Sequence, residues 1–252
     1  MRLDKFICDS SNNTRSEVKK LAKNGQIRVN GEIATDTSAK IDEAEDVVTV
    51  SGRRLLYKKY VYLMMNKPAG VLTATEDRKG KKTFADLIGE DYSFYEVTAA
   101  GRLDIDAEGF LLLTNDGAFV HNIITPEKHV EKEYYCEISG ELDKNAPEKF
   151  ENGVKLNDGY ICMPAKLDIR SVEAGVTKAV VTVCEGRFHQ VKRMVAACGG
   201  CVDYLKRISI GGVRLDGSLA SGKYRELTQE ELEILKGKIA KKRSYDREEM
   251  KK

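Results

Sequence analysis

The stretch Gly101-Arg-Leu-Asp104-Ile-Asp106-Ala-Glu108-Gly109-Phe-Leu-Leu-Leu-Thr114 constrains this chain more than any other. Leu111 to Thr114 read as a buried strand, a short apolar run with Gly109 before it and Asn115-Asp-Gly117 after it. Just upstream, Arg102, Asp104, Asp106 and Glu108 crowd charge between Gly101 and Gly109. A loop that only joins two strands does not need three carboxylates and an arginine at the edge of a core. Carboxylates held there feel a changed dielectric and can be tuned for chemistry. A solvated acidic turn is the other reading of these residues, and the rest of the chain has to decide between the two.

Residues 1–59 read as a small module of their own. Thr14-Arg-Ser-Glu17 has the pattern of a capping box. The helix it opens puts Val18, Leu21 and Ala22 on one face and stops at Gly25. At 100° per residue, Arg15, Lys19 and Lys23 fall side by side on another face. Asn30-Gly31, between Ile27-Arg-Val and Glu-Ile33, signals a type I′ hairpin. With a short helix over Arg2 to Asp9, two helices presenting a basic stripe beside a hairpin fit a binder of structured RNA, with a solvated helix face as the bland alternative.

From residue 60 the texture changes. Tyr60 to Met65 is strand-like and runs into Asn66-Lys67-Pro68-Ala-Gly70, a rigid turn carrying a cation. Asp116 caps a short helix over 118–124, and strands are expected over 132–138, 167–172 and 178–184. Glu185-Gly-Arg187-Phe-His189-Gln190-Val-Lys192-Arg193-Met194 leads into a helix ending at Gly199. Its apolar stripe is Val191, Met194, Val195 and Cys198; His189, Lys192 and Arg193 lie opposite. Thr228 caps a final helix. Strands and helices interleave without regular βα alternation, which predicts an α+β fold rather than a doubly wound one. The expected organisation is a domain over 1–59, a larger one over 60–236, and a basic tail over 237–252, part helix and part disordered.

At 252 residues, with 41% hydrophobic and 33% charged residues, the composition is that of a globular protein. The formal net charge of +2 hides two basic ends: seven Lys/Arg against three acids over 1–30, and eight against three over 236–252. That suggests polyanion contacts made by the termini. No apolar run approaches the roughly 20 residues of a membrane span, and the N-terminus lacks the apolar core of a signal peptide. Six scattered cysteines fit a reducing cytoplasm. Cys198-Gly-Gly-Cys201 has metal spacing, but no second pair completes a zinc site. Asp104-x-Asp106-x-Glu108-Gly109 imitates the start of a calcium loop, yet position twelve is Asn115 and a strand follows where a helix should. No metal site is expected. A glycosidase pair of Asp104 and Asp106 is weak, because one tight loop rarely sets two carboxylates across a sugar cleft.

Three blocks, Asn66-Lys-Pro-Ala-Gly70, Gly101-Arg-Leu-Asp104 with its Gly-x-Leu-Leu-Leu-Thr-Asn-Asp-Gly extension, and Glu185 to Met194, resemble the signature blocks of RNA pseudouridine synthases. Their order and spacing are similar to those of the small-subunit ribosomal branch, and residues 1–59 resemble the S4 RNA-binding domain. Phe110 stands where that family usually has leucine. The resemblance implies a mainly antiparallel sheet in the larger domain, and isomerisation of a specific uridine (uridine 516) of 16S rRNA without a cofactor. A sibling acting on 23S rRNA would share every motif. By resemblance Asp104 is the carboxylate that acts on the sugar, as nucleophile or as base. Lys192 is its basic partner, with Arg193 the second candidate, and Tyr134 stacks on the uracil. Arg102 props open the helix after base flipping. Lys67, Arg187, His189, Gln190 and Arg193 are expected on the RNA, with Arg15, Lys19 and Lys23 docking it. The implied setting is a cytoplasmic monomer acting on 16S rRNA, in one form as a partly assembled small subunit, away from membranes.

Overall fold

A computed structural model describes residues 1–249, which form two compact units. The first comprises Met1–Val61 together with Ile88–Val97. It holds α1 (Leu3–Asp9), α2 (Arg15–Lys23) and a four-stranded sheet of β1 (Ile27–Val29), β2 (Glu32–Ile33), β3 (Val48–Val50) and β4 (Arg53–Arg54), ordered β2-β1-β3-β4. Leu3, Phe6, Ile7, Val18, Ala22, Ile27 and Val48 make its core. The capping box is present: Glu17 N–H donates to Thr14 Oγ1, and Thr14 N–H donates to Glu17 Oε2 at 2.7 Å. Asn30 and Gly31 both take positive φ, as the type I′ turn requires.

Residues 88–97, with α3 (Glu90–Ser93), belong to this first unit. Asn12 Nδ2 donates to Ser93 Oγ at 3.1 Å, and Arg53 pairs with Asp91. The sequence reading placed this segment in the following domain. Its own ten residues show nothing that separates them from their neighbours; their membership comes from contacts across dozens of positions.

The second unit is built on one nine-stranded sheet. Its elements are β5 (Tyr62–Lys67), β6 (Thr98–Ala99), β7 (Glu108–Thr114), α4 (Gly117–Ile124), β8 (Lys132–Ser139), α5 (Ala146–Asn152), β9 (Lys166–Glu173), β10 (Val176–Val183), α6 (Gln190–Ala197), β11 (Cys201–Ile210), β12 (Val213–Arg214), β13 (Tyr224–Glu226) and α7 (Gln229–Glu249). The order is β13-β5-β7-β11-β8-β10-β9, with β6 on β7 and β12 on β11. β7 and β11 run parallel, and the other pairings in the sheet are antiparallel. The chain is thus α+β with a mixed, mainly antiparallel sheet. On one face Met64, Phe110, Leu112, Phe119, Ile123 and Leu235 form a core, with α4 started by Asp116 Oδ1 accepting from Phe119 N–H.

Three boundaries differ from the sequence reading. Gly109 lies inside β7, with φ of +99°, because a Cβ there would sit 2.3 Å from the Arg207 carbonyl oxygen on β11. α6 begins at Gln190, after a turn that uses residues 185–189. α7 continues past residue 236 to Glu249, where the tail was expected to begin; residues 250–252 lie outside the described part of the chain.

Candidate active site

Asp104 sits in the loop between β6 and β7, and the two residues flanking it are held by one turn. Thr73 Oγ1 donates to the Leu103 carbonyl at 2.8 Å and accepts from Leu103 N–H at 3.1 Å. The Ile105 carbonyl accepts from Gly70 N–H at 2.7 Å and from Lys67 Nζ at 3.4 Å. The backbone on both sides of Asp104 is therefore fixed while its carboxylate stays partly open. His189 Nε2 lies 3.6 Å from Oδ1 and Lys192 Nζ 3.7 Å from Oδ2, one nitrogen on each oxygen. Lys192 is 2.7 Å from both oxygens of Asp106, and that bond holds the Asp106 carboxyl below the usual range. The basic partner is thus shared between two carboxylates.

The turn before α6 aims these two side chains. Glu185, buried to 3% exposure, accepts from Tyr160 Oη at 2.8 Å, Met163 N–H at 2.8 Å and Gln190 Nε2 at 2.7 Å. Gln190 Oε1 in turn accepts from Arg187 N–H. His189 adopts the left-handed conformation, with φ of 51°. α6 buries Val191, Met194, Val195 and Cys198 as its spacing required. On the other face, Lys192 and Arg193 diverge. Lys192 turns to the Asp104 loop, whereas Arg193 pairs with Asp158 at 2.5 Å.

Tyr134 on β8 stands opposite Arg207 on β11. Its ring lines the same open cleft as Arg102, Asp104, Arg187 and His189. Its hydroxyl accepts from Arg207 Nη1 at 3.3 Å, and Arg207 Nε donates to the Phe110 carbonyl at 2.7 Å. Arg207 is 2% exposed, and its Nη2 has no hydrogen-bond partner among the described residues. A guanidinium is rarely buried without a full set of partners. Sequence reasoning missed this residue: it lies outside the three signature blocks, in a stretch over 201–210 that is not among the strands expected from sequence, and arginines are ordinarily exposed.

Two expected RNA contacts need correction. Lys67 has a fully buried side chain whose Nζ donates to Pro68 O at 2.8 Å; burial brings its pKa down to about 8. It cannot reach RNA, and it braces the Asp104 loop instead. Gln190 is 5% exposed, with both amide ends committed to the Glu185 turn. Arg102 and Arg187 are exposed at the cleft, and Arg15, Lys19 and Lys23 are exposed along α2. Burial also pushes the thiols of Cys136 and Cys162 up to about 12 and 11, which leaves both as poor nucleophiles at neutral pH.

A carboxylate contacted by a lysine and a histidine, beside an aromatic ring in an open cleft, with a separate unit carrying a basic helix, fits an enzyme that acts on RNA. Residues 61–197 match the RNA pseudouridylate synthase family and residues 1–48 match the S4 domain. The chain is 45% identical to the RNA pseudouridine synthase YtzG of Bacillus subtilis, over 93% of this chain and 98% of that protein. To the ribosomal small subunit pseudouridine synthase A of Escherichia coli it is 36% identical, over 92% of this chain and 98% of that one. A crystal structure of a pseudouridylate synthase superposes with a TM-score of 0.65 at 36% identity, covering 93% of this chain and 99% of that one. The chain belongs to the RNA pseudouridine synthase family, isomerases that act on RNA.

Proposed function

We propose that this enzyme isomerises one uridine of 16S rRNA, uridine 516 in the numbering of that RNA, with Asp104 as the catalytic carboxylate. The observation that carries the reading is the placement of Asp104: backbone fixed on both sides, carboxylate open to the cleft, a basic nitrogen on each oxygen. Its likeness to small-subunit synthases over nearly its whole length supports the rRNA target.

The reaction breaks the bond between N1 of uracil and C1′ of ribose, turns the base, and joins C5 to C1′. The proton leaves C5 and N1 gains one, so no cofactor is consumed. Asp104 acts on the ribose, and two roles suit an ionised carboxylate there: nucleophile or base. Lys192 balances its charge and His189 contacts its other oxygen, Tyr134 stacks on the flipped uracil with its hydroxyl toward C5, and Arg102 and Arg187 meet the RNA at the cleft mouth. The protein works as a cytoplasmic monomer, on 16S rRNA or a partly assembled small subunit.

Asp104→Asn is nearly isosteric, so it is expected to abolish tritium release from C5-labelled rRNA while RNA affinity and the unfolding midpoint stay near wild type. Residual turnover well above background would remove Asp104 from the chemistry. Pseudouridine mapping in cells with and without this gene tests the target: loss of the modification from 23S rather than 16S rRNA would make the enzyme the large-subunit sibling.

A further inference from the structure

Phe188 is the most exposed large hydrophobic residue of the described chain, at 75%, and it stands one residue from His189 at the cleft. Its ring is stacked on the His189 imidazole, centroids 3.7 Å apart and planes 18° from parallel. The imidazole in turn faces Asp104 at 3.6 Å. Asp104, His189 and Phe188 thus form a chain of contacts, with exposure rising from the carboxylate to the Phe188 ring.

The backbone holds this arrangement at a cost. His189 adopts a left-handed conformation that favours glycine, a strain of about 1–3 kcal/mol that persists only where the surroundings impose it. The surroundings are specific: buried Glu185 and Gln190 lock the turn from within. Arg187 is stacked flat on Tyr160, its guanidinium 3.4 Å from the ring centroid. This braced turn presents the Phe188 ring to solvent next to Arg187 in the chain, whose side chain is exposed at the cleft together with that of Arg102.

We infer that the stacked pair of Phe188 and His189 is a platform for an unpaired RNA base next to the target uridine. Every base offers a π-face, and aromatic rings beside cations are how proteins hold single-stranded RNA. Flipping the target leaves its neighbour without a stacking partner on one side. The open face of Phe188 supplies one, while Arg102 and Arg187 are placed for the flanking phosphates. The ligand is a nucleobase of the substrate strand, distinct from the uracil over Tyr134. This inference rests on the catalytic reading above.

The test uses Phe188→Ala, Phe188→Leu and Phe188→Tyr in the full-length protein, on an rRNA fragment that the wild type modifies. Phe188→Ala is expected to raise KM roughly 5- to 150-fold, the range found for losing one stacked base, with kcat little changed at saturating RNA. Phe188→Tyr should restore wild-type KM, and Phe188→Leu should resemble Ala because it lacks a planar face. In parallel, 2-aminopurine replaces the nucleotide on either side of the target. Its fluorescence should be quenched further by wild type than by Phe188→Ala at one of the two positions.

An unchanged KM in Phe188→Ala overturns the platform, as does full rescue by Leu, which would mean apolar packing alone. A loss seen only on ribosomal particles and not on naked RNA assigns the ring to a protein contact and also overturns it. Failure of the catalytic reading shows differently, as turnover surviving in Asp104→Asn.

Discussion

The cations of this enzyme fall into two kinds that look alike in sequence. Lys192 is poised between Asp104 and Asp106 at the cleft, where its charge is offset. Lys67 is buried, its ammonium hydrogen-bonded to the Pro68 and Ile105 carbonyl oxygens. Its desolvation lowers its pKa to about 8 in the folded chain, against roughly 10.4 when unfolded. Below pH 8 both states hold the proton and the burial penalty is constant. Between those two values the unfolded chain keeps a proton that the folded chain has released, so this group makes stability rise with pH, by up to about 1.4 kcal/mol per unit. Lys67→Met removes that contribution. The wild type minus variant difference in unfolding free energy should therefore stay flat from pH 6 to 7.5 and grow by about 1–3 kcal/mol toward pH 10. Urea titrations at each pH measure it, with other titrating groups cancelling in the difference. A difference that stays flat throughout would mean that the Lys67 ammonium is not desolvated.

At the scale of elements, the parallel contact of β7 with β11 joins the catalytic loop to the strand carrying Arg207, and Gly109 makes it possible. An alanine there would meet the Arg207 carbonyl at 2.3 Å and Arg207 N at 3.0 Å, both backbone atoms that cannot swing aside. Gly109→Ala is expected to cost about 3 kcal/mol or more, combining overpacking with a strained φ. Gly117→Ala is the control: nothing lies within 4 Å of its Cβ position and its φ is ordinary, so the change should be neutral or slightly stabilising. Equal denaturation midpoints for the two variants, followed by circular dichroism at 222 nm, would refute the close approach. The same glycine shows where reading the sequence stops. A glycine before an apolar run reads as punctuation, and only the neighbouring strand reveals it as a contact. Strand β8 was legible because its burial alternates residue by residue, and α6 because its apolar stripe has helical spacing. The Asp104 loop announced itself through charge density. Thr73, which fixes that loop from 30 positions away, and the buried Lys67, Gln190 and Arg207 left no local signal, since polar residues are ordinarily exposed.

For the whole molecule the question is what the first unit contributes, and the architecture dictates how to ask. Removing residues 1–61 would strip residues 88–97 of the unit they pack with, so a truncated protein would lose binding for reasons unrelated to RNA contact. Substitution on α2 avoids that. Arg15, Lys19 and Lys23 are exposed, while the core below them is made by Val18 and Ala22. Replacing the three by Gln leaves capping box and core intact and removes three charges from one helix face. If the stripe docks RNA phosphates, each lost contact removes one released counterion, and the slope of log affinity against log salt becomes shallower by about 0.7–0.9 per contact. The triple variant should therefore bind small-subunit rRNA fragments more weakly at low salt, with a slope smaller by up to about 2–3, and converge on wild type as salt rises. Its kcat at saturating RNA should be unchanged, because the Asp104 cleft is untouched. The basic residues from 236 on offer a control on charge alone: replacing Lys236 and Lys238 removes two positive charges without altering α2. Filter binding across a salt series, comparing wild type with both sets of variants, decides the matter. An α2 slope equal to wild type would make the stripe a solvated helix face. An equal change per charge in both sets would mean that net charge, not the α2 surface, attracts the RNA.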